Sequence, residues 1–254
     1  MQTVKLGITG PHVKALQRAL GQEPTGLAGS VLDAAIREVQ HRHGLSQDGI
    51  AGPKTWRAVW ADLGVDLIED HKSLSHWGHR TQPIHGVVIH HSDTGNPATT
   101  ARILQGRGLS THYEVSATGA VYEYGDPLLL VAWHAKVANA NSIGIDLTHA
   151  GLKAPFPQVQ LDAAARLLAA LALLHGFAPH ISTARKWDGS SDHPLRTLGT
   201  GGAYPRALWP EGGCVTLHRQ WAATACPGPL PVEDLSRAIG AHHAALRQGE
   251  PLPW

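Results

Sequence analysis

Two short apolar runs, far apart in the chain and each followed by a histidine, most constrain what this chain can fold into. Residues 86–89 read Gly-Val-Val-Ile before His90, and residues 214–217 read Cys-Val-Thr-Leu before His218. Apolar runs of this length, bounded by polar residues, are typical of strands buried in a sheet. We therefore expect a central sheet in which two strands end at a histidine.

Strand and helix patterns alternate around these two runs. The remaining strand patterns are Ser142 to Leu147 and a hairpin around Thr118-Gly119. The helical patterns cover residues 97–107, 161–175 and 232–246. Residues 85–254 are therefore predicted to form an α/β domain with a central mixed β-sheet flanked by helices.

The first 62 residues contain a weak internal repeat. Residues 25–30 match residues 48–53, and a pattern with helical spacing follows each copy. Two copies are too few for a repeat array, so we expect them to build one compact unit. The apolar spacing predicts a small three-helix domain over residues 1–62, with residues 63–84 as a connector.

Two histidines and a cysteine are candidate metal ligands. His90 and His218 follow predicted strands, and Cys226 comes eight residues after His218. Two imidazoles and a thiolate suit Zn²⁺, and three protein ligands leave a fourth position for water. Taken singly, a histidine at a strand end is more often structural, and a cysteine is more often a small buried apolar residue. Cys214 and Cys226 could also form one disulfide.

Five motifs, in a fixed order, carry a family resemblance. They are Ile89-His90-His91-Ser92, Ala132-Trp133-His134-Ala135, Asn141 to Leu147, Leu217 to Trp221 and Thr224 to Gly228. Residues 84–245 resemble the zinc amidases shared by phage lysozyme-type enzymes, bacterial wall amidases and animal peptidoglycan-recognition proteins. The resemblance implies hydrolysis of the bond between N-acetylmuramic acid and L-alanine, with one Zn²⁺ per chain as cofactor.

The same resemblance assigns roles to single residues. It implies His90, His218 and Cys226 as the zinc ligands, which leaves Cys226 no sulfur for a disulfide and makes Cys214 a core residue. Asp146 stands where recycling amidases have a glutamate that activates water, and its shorter side chain makes a structural role the alternative. Thr224 is a candidate to stabilise the oxyanion, and it too has a structural alternative. The remaining candidates are His134, for catalysis, and Asn141, His91 and Thr111, for substrate binding.

The N-terminal residues resemble the small peptidoglycan-binding domain of bacterial wall hydrolases. The resemblance rests on Val13 to Gln17, the spaced Gln40 and Gly44 to Trp56, whose last part is the most specific. It implies that residues 1–62 bind the cell wall. Individually, the glycines are expected as turn formers and Trp56 as a core residue.

Composition narrows the partners and the place of action. The formal net charge of +1 gives no basic field for nucleic acid, and the longest apolar stretch, residues 167–174, is too short for membrane insertion. We expect a monomer that is made in the cytoplasm without a signal peptide. Delivery to the cell wall through a holin-type hole would make it a phage endolysin; the alternatives are an injected effector and a non-catalytic recognition protein.

The region of residues 177–213 is the least regular part of the sequence. It is rich in Gly, Ser, Pro and His, and a connection of this length is usually functional or disordered. A flap beside the substrate and a plain surface loop are both compatible with it. His180 and His193 are a further, weaker metal-binding candidate.

Overall fold

The structure is a computed structural model that describes residues 1–151, 153–182, 209, 213–222 and 224–249. Most of the predicted flap, including His193, lies outside these residues. Within the described part, no helix is long and apolar enough to cross a membrane.

The N-terminal part forms the three helices that the sequence predicts. They are α1 (Pro11–Ala19), α2 (Ser30–Arg42) and α3 (Pro53–Asp62). Both prolines stand at the start of a helix, where the missing N–H costs no helical hydrogen bond. Trp56 is buried between the helices, as expected.

The internal repeat has a structural cause. The Gln17 Oε1 atom accepts a hydrogen bond from the N–H of Gly26 at 2.8 Å, and the Gln40 Oε1 atom accepts one from the N–H of Gly49 at 3.0 Å. The two glycines have φ of 82° and 72°, a conformation that favours glycine. Each copy of the repeat is therefore a glycine turn that is held in place by a buried glutamine from the last turn of the preceding helix.

A mixed six-stranded sheet forms the centre of the remaining chain. Its strands are β1 (Leu67–Glu69), β3 (Gly86–Ser92), β4 (Tyr113–Ser116), β5 (Val121–Glu123), β7 (Ser142–Thr148) and β8 (Cys214–Leu217), in the spatial order β1-β5-β4-β7-β3-β8. Only the β4–β5 pair, the predicted hairpin, is antiparallel. Strands β2 (Trp77–His79) and β6 (Leu130–Ala132) form a separate two-stranded sheet.

Three further α-helices flank the sheet. They are α4 (Pro97–Gly106), α5 (Gln158–His175) and α6 (Val232–Gln248). Helix α5 contacts strands β3 and β4, and helix α6 packs on α5. Gly176 ends α5 in the left-handed conformation. The predicted α/β class with a mixed sheet and flanking helices is confirmed.

The N-terminal helices and the sheet share one apolar core. Residues 63–84, predicted as a connector, carry the edge strand β1 and the strand β2. Helix α1 packs on α5, and the Arg18 guanidinium donates a hydrogen bond to the carbonyl oxygen of Leu174 at 3.2 Å. A buried pair, His12 Nε2 and Asp126 Oδ2 at 2.7 Å, joins the same two parts of the chain.

Candidate metal centre and active site

The sheet register brings two of the predicted ligands together. Strands β3 and β8 are neighbours, and Ile89 on β3 pairs with Leu217 on β8. His90 and His218 directly follow these partners, and their ring centroids lie 4.4 Å apart. Strand β3 continues to Ser92, so His90 lies within its strand and not at its end as the sequence suggested.

The third ligand arrives on the loop after β8. This loop begins with the short 3₁₀ helix His218–Gln220 and folds back, because the N–H of Arg219 donates to the carbonyl oxygen of Cys226 at 2.9 Å. One candidate ligand atom from each of His90, His218 and Cys226 lies within 4.8 Å of the others. Within the part of the chain that the structure describes, no other group of three or more His, Cys, Asp and Glu residues has this geometry.

The electrostatics of the three side chains suit a cation of the zinc type. Burial lowers the pKa of His90 and of His218 to about 3, so both imidazoles are neutral near pH 7 and keep a free lone pair. Burial raises the pKa of the Cys226 thiol to about 12. The N–H of His91 points at Cys226 Sγ from 3.2 Å, an interaction that favours the thiolate once a cation displaces the proton.

The second cysteine has a different environment. Cys214 lies on β8 and is completely buried. Both cysteines are free thiols, so no disulfide joins Cys214 to Cys226. Cys214 is therefore a core residue, as predicted.

His134 lies directly behind the ligand His90. Its Nδ1 atom is 2.9 Å from His90 Nε2, and its Nε2 atom is 3.1 Å from the Ser142 hydroxyl. The ring fills the space over Gly144, where an added Cβ would come within 2.8 Å of it. Burial lowers the pKa of His134, which is held neutral beside the other imidazoles.

Asp146 lies at the same level of the sheet as His90, which is its partner on β3. Its Oδ1 atom accepts a hydrogen bond from the Ser92 hydroxyl at 2.7 Å. Burial raises the pKa of this carboxyl, and the hydrogen bonds from Ser92 and Thr111 oppose that rise. The position combines a buried carboxyl with the neighbouring candidate ligands, which is the arrangement expected of a proton-transferring group.

The three side chains predicted to bind substrate differ in burial and in their contacts. Thr111 is fully buried, within hydrogen-bonding reach of Asp146, and Asn141 is buried with its amide donating to the Pro83 carbonyl oxygen at 3.1 Å. Thr111 therefore contacts the candidate proton-transferring carboxyl, whereas Asn141 contacts the backbone that precedes β3. The His91 ring is half-buried, with its Nε2 atom 3.1 Å from His149 Nδ1.

Thr224 supports the ligand loop. Its hydroxyl oxygen accepts a hydrogen bond from the N–H of Cys226 at 3.2 Å. The side chain is half-buried. This contact favours the structural alternative for Thr224, because the threonine holds the backbone of the cysteine that reaches the metal centre.

Two charged residues that carry no sequence signal, Arg80 and Glu114, lie inside the fold, Arg80 partly buried and Glu114 fully buried. Arg80 donates to the backbone carbonyl oxygens of Pro127, Leu130, Ala140 and Ser142. Glu114 lies on β4, completely buried beside β7. No motif marks either residue; a glutamate between Tyr113 and Val115 reads as the exposed position of an alternating strand.

Comparison with protein families and solved structures gives two family matches. A family model described as N-acetylmuramoyl-L-alanine amidase matches residues 80–229, and one described as a peptidoglycan binding domain matches residues 9–59. A search of curated proteins finds no significant match.

Several solved structures are similar to this chain. The endolysin amidase LysCS from Clostridium intestinale URNW is 18% identical with a TM-score of 0.46, covering 68% of this chain and 94% of that one. The Ph2119 endolysin of the Thermus scotoductus MAT2119 bacteriophage Ph2119 is 18% identical with a TM-score of 0.43, covering 68% and 99%. The Drosophila peptidoglycan recognition protein SA is 19% identical with a TM-score of 0.44, covering 67% and 90%.

Proposed function

This chain belongs to the N-acetylmuramoyl-L-alanine amidase family, and we propose that His90, His218 and Cys226 bind the one zinc ion with which it works. The chain is a peptidoglycan hydrolase that cleaves the amide bond between N-acetylmuramic acid and L-alanine. The observation that carries the metal assignment is the convergence of two neutral imidazoles and one thiol from three separate segments. Three ligands of this kind hold zinc and leave a position for the reacting groups.

The bound ion would polarise the scissile carbonyl and lower the pKa of a water molecule. The protein's own groups divide the remaining work. Asp146 accepts the proton that the attacking water gives up and delivers it to the nitrogen of the departing L-alanine. His134 holds the His90 ring in place through its Nδ1 atom, while its own Nε2 atom contacts the Ser142 hydroxyl. Thr224 and the N–H of His91 hold Cys226, the one through its backbone and the other through its sulfur.

The N-terminal part supplies a second contact with the same polymer. Residues 9–59 match the peptidoglycan binding domain family. We therefore assign wall binding to residues 1–62 and catalysis to residues 85–254, with residues 63–84 between them. A wall-binding part suits an insoluble polymer, so we propose that the enzyme acts on intact sacculi. We also propose that it acts as a monomer, without nucleic acid and without membrane insertion.

A phage endolysin is the biological setting that we propose. Pairing a wall-binding module with a wall-cutting domain fits an enzyme that reaches peptidoglycan in bulk, from the periplasmic side, after release through a holin-type hole. Injection by another cell is the other route to the same substrate.

The test combines metal analysis with cleavage of purified sacculi. The wild type should carry about one zinc per chain and release L-alanine amino termini without new reducing sugars. Cys226→Ser should lose both properties. Cys214→Ser is the matched control, because Cys214 is buried outside the cluster, and it should keep both.

Two results would contradict the proposal. New reducing ends would identify a glycosidase. Binding of sacculi without any bond cleavage by the zinc-loaded wild type would identify a recognition protein.

A further inference from the structure

A cavity, here called the junction cavity, lies where helix α1 meets the catalytic part. It encloses about 350 Å³ between α1, the C-terminal end of α5 and residues 80–84, which lead into strand β3. The candidate ligand His90 lies near the other end of β3, about 13 Å beyond Gly86 at about 3.3 Å per residue. The junction cavity and the metal centre are therefore at opposite ends of this strand.

Cationic side chains line the junction cavity. Lys14 and Arg18 lie one turn apart on the same face of α1, and Arg80 comes from the segment before β3. None of the described residues that line the cavity is acidic. The carboxylate whose charge acts on Arg80 is Asp126, and it is bonded to His12 at 2.7 Å. Among the described residues, neither arginine forms an ion pair, so their charges have no counter-charge in contact.

His175, the last residue of α5, adds an unused hydrogen-bonding group to the same cavity. Its Nε2 atom is buried and has no hydrogen-bond partner among the described residues. Burial, followed by the charge of Arg80, lowers the pKa of His175 to about 3. The ring is therefore neutral near pH 7, and a neutral imidazole has one N–H that it can donate to an anion. A buried polar atom without a partner indicates a place for a ligand atom.

Arg18 keeps donors for a ligand. Among the described residues, its one hydrogen bond runs from Nη1 to the carbonyl oxygen of Leu174 at 3.2 Å. The guanidinium lies against Gly176, where an added Cβ would come 3.1 Å from the Arg18 Cζ and Nη2 atoms. The Nε and Nη2 atoms can therefore both donate to one carboxylate, which is the paired arrangement in which arginine binds this group most strongly.

A second cavity, of about 610 Å³, shares Arg18 with the junction cavity. Arg247 and His243 from helix α6 also line it, and Glu23 is the one acidic residue among its described lining residues. Burial lowers the pKa of His243, and the charge of Arg247 lowers it further. Two cavities that meet at Arg18 and each hold further cations suit a ligand with more than one anionic group.

We propose that these two cavities bind the carboxylates of a peptide stem of peptidoglycan, with Arg18 as the central contact. Peptidoglycan is the polymer that the chain cleaves, and its peptide stems carry free carboxylates. A phosphate polymer would need a continuous row of exposed cations, whereas Lys14 is exposed and Arg18 and Arg80 are half-buried. The site is separate from the metal centre and goes beyond the proposed function; only its ligand class rests on peptidoglycan as the substrate.

Nuclear magnetic resonance of the arginine Nε–H groups tests the contact directly. Zinc-loaded wild type is titrated with the tripeptide L-Ala-γ-D-Glu-L-Lys, with the same peptide carrying amides in place of its carboxylates, and with inorganic phosphate. The Arg18 signal is the one that Arg18→Gln lacks. We expect the tripeptide to shift this signal and the amidated peptide to leave it unchanged. No response to the tripeptide overturns the proposal, as does an equal or larger response to inorganic phosphate at the same concentration.

Sedimentation with sacculi tests the site on the polymer. The sacculi are stripped of phosphate polymers with hydrofluoric acid, and binding is measured in the cold with zinc-loaded full-length protein. Arg18→Gln should weaken binding about tenfold, and Lys14→Gln, which changes an exposed side chain, about threefold. Arg102→Gln is the matched control, because Arg102 is exposed on α4 outside both cavities, and it should bind as the wild type does.

Amidating the carboxylates of the sacculi with a carbodiimide should weaken binding of the wild type more than binding of Arg18→Gln. Unchanged binding by both Arg18→Gln and Lys14→Gln overturns the inference and leaves the amidase function standing. A zinc-loaded wild type that binds sacculi through Arg18 but cleaves no bond overturns the proposed function instead.

Discussion

Zinc binding to this site should release one proton, and the structure says which one. The pKa of about 3 for His90 and His218 leaves both imidazoles already neutral between about pH 5 and 6.5. The Cys226 thiol, with a pKa of about 12, is still protonated throughout that range. Because only the thiol must lose a proton, the zinc dissociation constant should fall about tenfold for each unit rise in pH.

Changing one ligand should change this slope. Cys226→Asp replaces the thiol by a carboxyl whose ordinary pKa is about 4, so most of the ligand is ionised before zinc arrives. The dependence of log Kd on pH should then fall to less than about half of the wild-type slope. Cys214→Ser should keep the full slope, because this residue is not among the candidate ligands.

Competition with a chromophoric chelator at several pH values measures the slope, and a pH-stat measures the released protons directly. Release of about three protons per zinc would show that both imidazoles are charged in the metal-free protein, against the effect of their burial. Release of none by the wild type would show that Cys226 is not a ligand. Either result would refute the reasoning.

Three further predictions concern the scaffold. Gly86→Ala would place a Cβ 1.9 Å from a backbone carbonyl oxygen of β8, so it should lower both Tm and zinc content, whereas Gly95→Ala, with open space around it, should change neither. Arg80→Met should lower the urea-unfolding free energy by about 2 kcal/mol, because it removes the side-chain donor to the partly buried carbonyl oxygens of Ala140 and Ser142. Burial alone would raise the pKa of Asp126, but the hydrogen bond and charge of His12 hold it at about 2. The resulting stability, about 2 kcal/mol, is present above the ordinary carboxyl pKa and is lost as pH falls through about 2, so Asp126→Asn should differ from the wild type at pH 6 and not at the acid end.

The ligand set was readable from the sequence because strand order turns distant residues into neighbours. His90 and His218 each follow a short apolar run, and pairing of those runs in register is enough to bring the two rings together. Cys226 depends on a loop whose path no pattern predicts. The motif around Cys226 predicts that it is a ligand. The hydrogen bond from the Arg219 N–H to the Cys226 carbonyl oxygen explains how the loop brings this residue back to His218.

The supporting residues were harder to predict, because burial on both faces of the sheet cannot be seen in one strand. Thr111 and Asn141 are predicted to bind substrate from the family resemblance, and nothing in a single strand indicates that both side chains are buried. Glu114 sits in an alternating pattern that favours an exposed side chain, and only the neighbouring strand β7 and helix α4 make it internal. The sequence marks Gln40 only by its spacing from the other motif residues. The hydrogen bond that its Oε1 atom accepts from the Gly49 N–H can be seen only in the folded structure.

The apolar core that continues from helix α1 into helix α5 limits how the enzyme can explore its substrate. A flexible linker between the wall-binding part and the catalytic part would let one bound molecule reach and cleave many bonds. Here helix α1 packs directly on helix α5, so the proposed wall-binding part, residues 1–62, would hold the catalytic part at a fixed distance from the polymer that it binds. Each further cleavage would then require the wall-binding part to dissociate, and turnover on intact sacculi should rise when wall binding is weakened moderately.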